Sequence, residues 1–213
     1  MFTSRRSRVA GFSLLELMVV VAIIGIAAAL AAPAISTAMA ERRAAEGALD
    51  VVRLGRRARA ETMAFGRAHL LRFEQSGSIG SEGSLRMFRG RTPSCRTSNW
   101  TSAVGTIPPI ITGFCPASSM CVDLVDMSDT HYQTGTHTVE LSAPGAGDSD
   151  LCYEPSGAMM FRSAGAAWLD SNAANAAIAG GFRLRVQRKV SGVVEGNDRW
   201  IVFPWGGTPR ILR

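Results

Sequence analysis

The hydrophobic positions change period twice along the chain. Residues 12–35 are apolar almost without interruption, from Phe12-Ser13-Leu14-Leu15-Glu16 through Leu17 to Ala32 and on past Pro33. From residue 38 to about 65 the apolar and small positions Ala44, Ala48, Val51, Gly55, Ala58 and Phe65 recur at helical spacings, with polar residues between them. The opposite face places opposite charges three or four residues apart, Asp50 with Arg53 and Arg57 with Glu61, a pattern that supports a solvated helix face. After Gly66 the period falls to two. Short branched or aromatic runs then alternate with Gly, Ser and Pro clusters, and predict strands at 69–74, 85–89, 120–125, 136–141, 159–162, 182–188, 199–203 and 210–212. Gly180-Gly181 and Gly206-Gly207 read as turns, Gly77 to Gly83 as a hairpin tip, and Glu195-Gly196-Asn197-Asp198 as a hairpin loop. Residues 92–116 read as a long surface loop suited to partner contact. The expected fold is α+β: one long N-terminal helix of about 55 residues, bent at Pro33, packed on an antiparallel sheet or sandwich.

The apolar block is a membrane candidate. Residues 12–35 would span about 36 Å as a helix, enough for a hydrocarbon core of about 30 Å. Arg5, Arg6 and Arg8 precede it and place the N-terminal end in the cytoplasm, so that the rest of the chain is exported. Glu16 is anomalous, since a carboxylate in an apolar helix costs about 2.5–3.5 kcal/mol at the bilayer centre and less near its edge. Cleavage after Gly11 would give Phe12 a free α-amine four positions from Glu16 on the same helix face, and amine and carboxylate on neighbouring copies could then neutralise each other.

Gly11-Phe12-Ser13-Leu14-Leu15-Glu16-Leu17 followed by a long apolar run resembles the prepilin signature of type IV pilins and type II secretion pseudopilins. The resemblance implies a leader, residues 1–11, cut by a prepilin peptidase between Gly11 and Phe12. It implies N-methylation of Phe12, an assembly role for Glu16 and a helix-bending role for Pro33. The layout is then an assembly half of the helix at 12–35, an amphipathic half at 36–66 and a periplasmic β-rich domain at 67–213. Ala64-Phe65-Gly66-Arg67-Ala68 and Arg199-Trp200-Ile201-Val202-Phe203 look like the GspH/FimT group of minor pilins, FimU-like subunits included. That likeness implies a single-pass inner-membrane subunit that later sits at or near the tip of a pilus or pseudopilus. The implied partners are other minor pilins, the major pilin or pseudopilin, the prepilin peptidase, the inner-membrane assembly platform and a large tip adhesin. Two plainer readings compete: a secretory signal cut after Ala31, because Ala29-Leu30-Ala31 satisfies the small-residue rule, and a simple anchor with an incidental glutamate.

Charge changes this picture little. The 213-residue chain has 23 Lys+Arg against 17 Asp+Glu, a net +6, and Lys189 is the one lysine. The mild excess predicts no nucleic-acid partner by itself. FimT-like pilins in some bacteria nevertheless bind DNA through a basic C-terminal motif. Here Arg183 and Arg185 share one strand face and Arg210 and Arg213 lie at the end, although Gly207-Thr208-Pro209-Arg210-Ile211-Leu212-Arg213 departs from the Gly-Arg-x-Arg pattern.

The 4 cysteines, Cys95, Cys115, Cys121 and Cys152, fall on the exported side, where disulfides form. Pairing Cys115 with Cys121 leaves Cys95 with Cys152, and two other pairings remain open. A zinc site with His131 and His137 lacks paired Cys-x-x-Cys knuckles. No Gly-x-Ser-x-Gly, His-Glu-x-x-His or phosphate loop is present, and His69 reads as a packed strand residue, so neither catalysis nor a cofactor is expected.

Overall fold

The computed structural model describes residues 12–75, 82–98, 100, 120–133, 135–143, 147–163 and 166–212. Its element order is α1 (Leu14–Phe65), β1 (His69–Glu74), β2 (Ser84–Arg89), β3 (Cys121–Asp126), β4 (His137–Ser142), β5 (Ser149–Tyr153), β6 (Met159–Ser163), α2 (Ser171–Ala177), β7 (Phe182–Val190), β8 (Val193–Phe203) and β9 (Arg210–Leu212). Two compact units result, Met1–Met39 and Ala40–Arg213.

In the first unit the described residues are helical from Leu14 onward. An 18-residue window of this helix reaches a mean hydropathy of 2.7 with none of it buried, which is a membrane-spanning composition by length and polarity. The helix runs through Pro33 without interruption. Proline removes one backbone donor there, and its own carbonyl accepts from the hydroxyls of Ser36 at 2.9 Å and Thr37 at 3.0 Å.

The second unit is a two-sheet α+β body. One sheet is five-stranded in the order β3-β2-β1-β5-β6, the other four-stranded in the order β4-β7-β8-β9, and all pairings are antiparallel. Its helical stretch presents Ala44, Ala48, Val51, Val52, Leu54 and Ala58, packed with Phe73 and Met87 from the larger sheet and Leu184, Ile201 and Phe203 from the smaller. Small residues on the helix permit a close approach. At Gly55 an added Cβ would lie 2.6 Å from the Phe203 ring and 2.8 Å from Pro209. Phe65, expected on this packed face, is instead 55% exposed, with the Arg89 guanidinium 4.5 Å above its ring. The ion pairs expected on the outer face form, Asp50 with Arg53 at 2.9 Å and Arg57 with Glu61 at 2.7 Å.

The strands differ from expectation in two places. β5 has no counterpart in the sequence reading, because its five residues, Ser-Asp-Leu-Cys-Tyr, are buried on both faces and show no alternation. The segment 195–198 is strand rather than hairpin loop: β7 and β8 turn instead at Ser191-Gly192, where φ is +49° and +85° and Val190 faces Val193 across a two-residue loop. Positive φ at both turn positions is what a type I′ hairpin needs. Gly196, with φ +87°, then belongs to the irregularity that shifts register between Val186 and Arg188. A short helix, α2, also escapes periodicity, but the Asp170 carboxylate caps it by accepting from Asn172 at 3.1 Å and Ala173 at 2.9 Å, as an N-cap aspartate does.

Candidate functional site

Ser13 begins α1. Its backbone carbonyl accepts from Leu17 at 3.2 Å and its hydroxyl accepts from the Glu16 amide at 3.2 Å. Ser13-Leu14-Leu15-Glu16 therefore has the spacing of a capping box, with the acidic residue in the first helical turn, where the helix dipole favours negative charge. This local role for Ser13 and Glu16 was readable from Ser-x-x-Glu spacing and escaped the reading built on the membrane alone. Among the described residues the Glu16 carboxylate has no hydrogen-bond or ion-pair partner and is exposed, beside Leu14, Leu15, Leu17 and Met18, all at least 60% exposed. Phe12 is 78% exposed just before the helix. Gly11 lies outside the described residues. The arrangement is a single acid at the head of the exposed helical stretch of the first unit, which up to Met39 carries no other charge.

Residues 6–32 match the prokaryotic N-terminal methylation motif. The chain thus carries a type IV pilin-like prepilin signal, and its α+β body, with the rear of the long helix inside the core, is consistent with a pilin-like fold. No curated protein and no solved structure matches the chain significantly.

In the second unit the disulfide joins Cys95 to Cys152, both fully buried. They sit on the outer face of the larger sheet with Ala68, Leu70, Phe88, Trp100 and Met160. Trp100 donates its indole N–H to the Cys95 carbonyl at 3.3 Å, so the start of the 92–116 segment is folded onto this small second core. Cys121 is also disulfide-bonded; Cys115, most of the 92–116 loop and the greater part of the glycine-rich tip after β1 lie outside the described residues.

On the smaller sheet, register brings the C-terminal basic residues together. Arg183 faces Val202, and Val202 faces Arg210; in the next row Arg185 faces Trp200, and Trp200 faces Leu212. Arg183 and Arg210 are exposed, whereas Arg185 is partly engaged by Asp198 at 3.5 Å and lies 5.8 Å from the Trp200 ring centre. Arg213 lies outside the described residues.

The histidines are spread through the unit. His131 sits 3.5 Å from Glu46 and His137 3.3 Å from Arg188. His69 is fully buried, with Nδ1 3.1 Å from both the Thr62 hydroxyl and the Arg67 carbonyl. Because Thr62 donates to Ala58, the imidazole N–H is the donor to these oxygens. Burial pushes the His69 pKa below its ordinary value, and the Arg67 carbonyl and Glu61 oppose that shift only in part. At Glu61 burial pushes the carboxyl up, but hydrogen bonds from Arg57 and Arg89 outweigh it and hold the group below the usual range. No group of three or more His, Cys, Asp or Glu suited to a metal occurs among the described residues.

Proposed function

We propose that this chain is a minor pilin of the GspH/FimT kind, which joins other minor pilins in the priming and tip complex of a type IV pilus. The supporting observation is the unpartnered Glu16 carboxylate in the first turn of an uncovered apolar helix, directly after a Gly11-Phe12 junction inside a methylation motif. Capping accounts for the helix start, but leaves the carboxylate without a counter-charge in lipid, and a cleaved, methylated Phe12 amine on an adjacent subunit would supply one. The prepilin peptidase would free that amine, and the inner-membrane assembly platform would draw the subunit from the bilayer with its β domain on the periplasmic side. The same features suit a minor pseudopilin of a type II secretion system. Within either machine the chain would act by binding. The contacts would be with the major pilin or pseudopilin below and a large tip adhesin above.

The test combines processing with assembly. Mass spectrometry of the purified protein should find a mature chain that begins at N-methylated Phe12. Glu16→Ala should stay in the membrane fraction yet disappear from sheared filaments, and deletion of the gene should reduce piliation or secretion out of proportion to the protein's abundance. A mature chain beginning after Ala31, or undiminished incorporation of Glu16→Ala, would falsify the assembly reading.

A DNA-binding minor pilin is the second reading, favoured by the Arg183, Val202 and Arg210 row beside Arg185 and Trp200. Guanidinium groups neutralise phosphate and an indole can stack on a base. Gel shifts of the protein should then weaken steeply with salt and be lost in Arg183→Gln/Arg210→Gln; no retardation at low salt removes this reading.

A further inference from the structure

The end of the second unit where α1 gives way to β1 gathers more positive charge than its carboxylates can answer. Arg67, Arg89 and Arg91, with Gly90, Met120 and Val122, line a hollow of ≈ 360 Å³. The acids nearby are already engaged: Glu61 takes Arg57 at 2.7 Å and Arg89 at 3.1 Å, and Asp123 takes Arg57. Arg67 and Arg91 are exposed and have no acidic partner among the described residues. Arg89 is held in place by Glu61 and by the Phe65 ring 4.5 Å from its guanidinium carbon, while its Nε is buried with no hydrogen-bond partner. Backbone geometry fixes the wall, because the Arg89 amide donates to the Met120 carbonyl at 2.9 Å and the Gly90 amide to the Ala68 carbonyl at 2.7 Å.

We propose that this hollow is a binding site for a small oxyanion-bearing ligand, a carboxylate or phosphate group held by Arg67, Arg89 and Arg91. Planar guanidinium groups bind such oxyanions through paired, charge-assisted hydrogen bonds. Met120 and Val122 supply an apolar wall, as pockets for small organic ligands do, and the volume admits a single sugar ring bearing an acid group. The site is separate from the Glu16 assembly region and stands or falls independently of it.

The test is calorimetric titration of the full chain in a non-ionic detergent with glucuronate, inorganic phosphate and neutral glucose. Saturable binding of glucuronate and phosphate, absent for glucose, is the expected result. Tighter binding of glucuronate identifies an acidic saccharide as the ligand class, and equal binding of the two anions identifies the oxyanion alone. Arg67→Gln/Arg91→Gln should weaken binding about tenfold or more with an unchanged unfolding midpoint, since neither side chain has an acidic partner among the described residues. Failure of both anions to bind, or full binding by the double variant, overturns the proposal.

Discussion

Removing the Cys95–Cys152 disulfide should be a large loss of stability for the larger sheet and the segment bound to it. The bond closes a loop of sequence separation 57. Chain-entropy reasoning for a loop of that size gives about 4 kcal/mol at 25 °C. Both half-cystines are fully buried against Leu70, Phe88 and Met160, so Cys95→Ala/Cys152→Ala also loses packing there. For a body of this size about 4 kcal/mol corresponds to a fall in Tm of about 8–16 °C. Because Trp100 is anchored by the Cys95 carbonyl, its emission should shift to the red in the folded variant. Urea unfolding followed by tryptophan fluorescence and far-UV circular dichroism measures both effects. A loss below about 1 kcal/mol with an unchanged slope and unchanged emission would show that the second core holds the 92–98 segment without the bond, and would refute the reasoning.

Other outcomes follow from single groups. Asp150 is 5% exposed and accepts from Arg72 at 2.8 and 3.0 Å and from Arg162 at 2.8 Å; Asp150→Ala strands two guanidinium groups and should cost about 3–5 kcal/mol in chemical denaturation, whereas Asp150→Leu combined with Arg72→Met and Arg162→Met should recover most of it. His69 has a lowered folded pKa, so the unfolded chain takes up its proton first: stability is full above pH ~6.5 and falls as the pH drops through the folded value. His69→Asn should flatten the stability profile between neutral pH and about pH 5; a steeper loss in the variant would mean that the protonated ring is stabilised by Glu61. Gly83→Ala places a methyl against the Leu141 carbonyl at φ +82° and should unfold the protein or cost more than about 2 kcal/mol, while Gly66→Ala, at φ +63° in open space, should cost only about 1–2 kcal/mol; thermal melts of the pair separate crowding from backbone strain.

Long-range periodicity made α1 legible, and alternating Phe182, Leu184 and Val186 did the same for β7. Elements whose signal is not periodic stayed hidden. β5 is buried on both faces, and α2 is declared only by its Asp170 cap. The hairpin at Ser191-Gly192 was masked by the more turn-like Glu195 to Asp198, which tertiary pairing draws into β8 through the positive φ of Gly196. At the candidate site Glu16 stood out because charge is rare in such a helix, yet its local role as part of a capping box needed the Ser13 hydroxyl to be considered with it. The arginine hollow could not be read from the chain, since Arg67 and Arg91 are ordinary surface residues until two strands and the end of a helix converge on them.

The small-residue face of α1 has a mechanical consequence. Ala44, Ala48, Gly55 and Ala58 leave so little space between the helix and the sheets that the helix is a structural rod within the body, clasped on one side along its buried length. Tension applied along that rod would be shared in shear by its packed turns rather than peeled away one contact at a time.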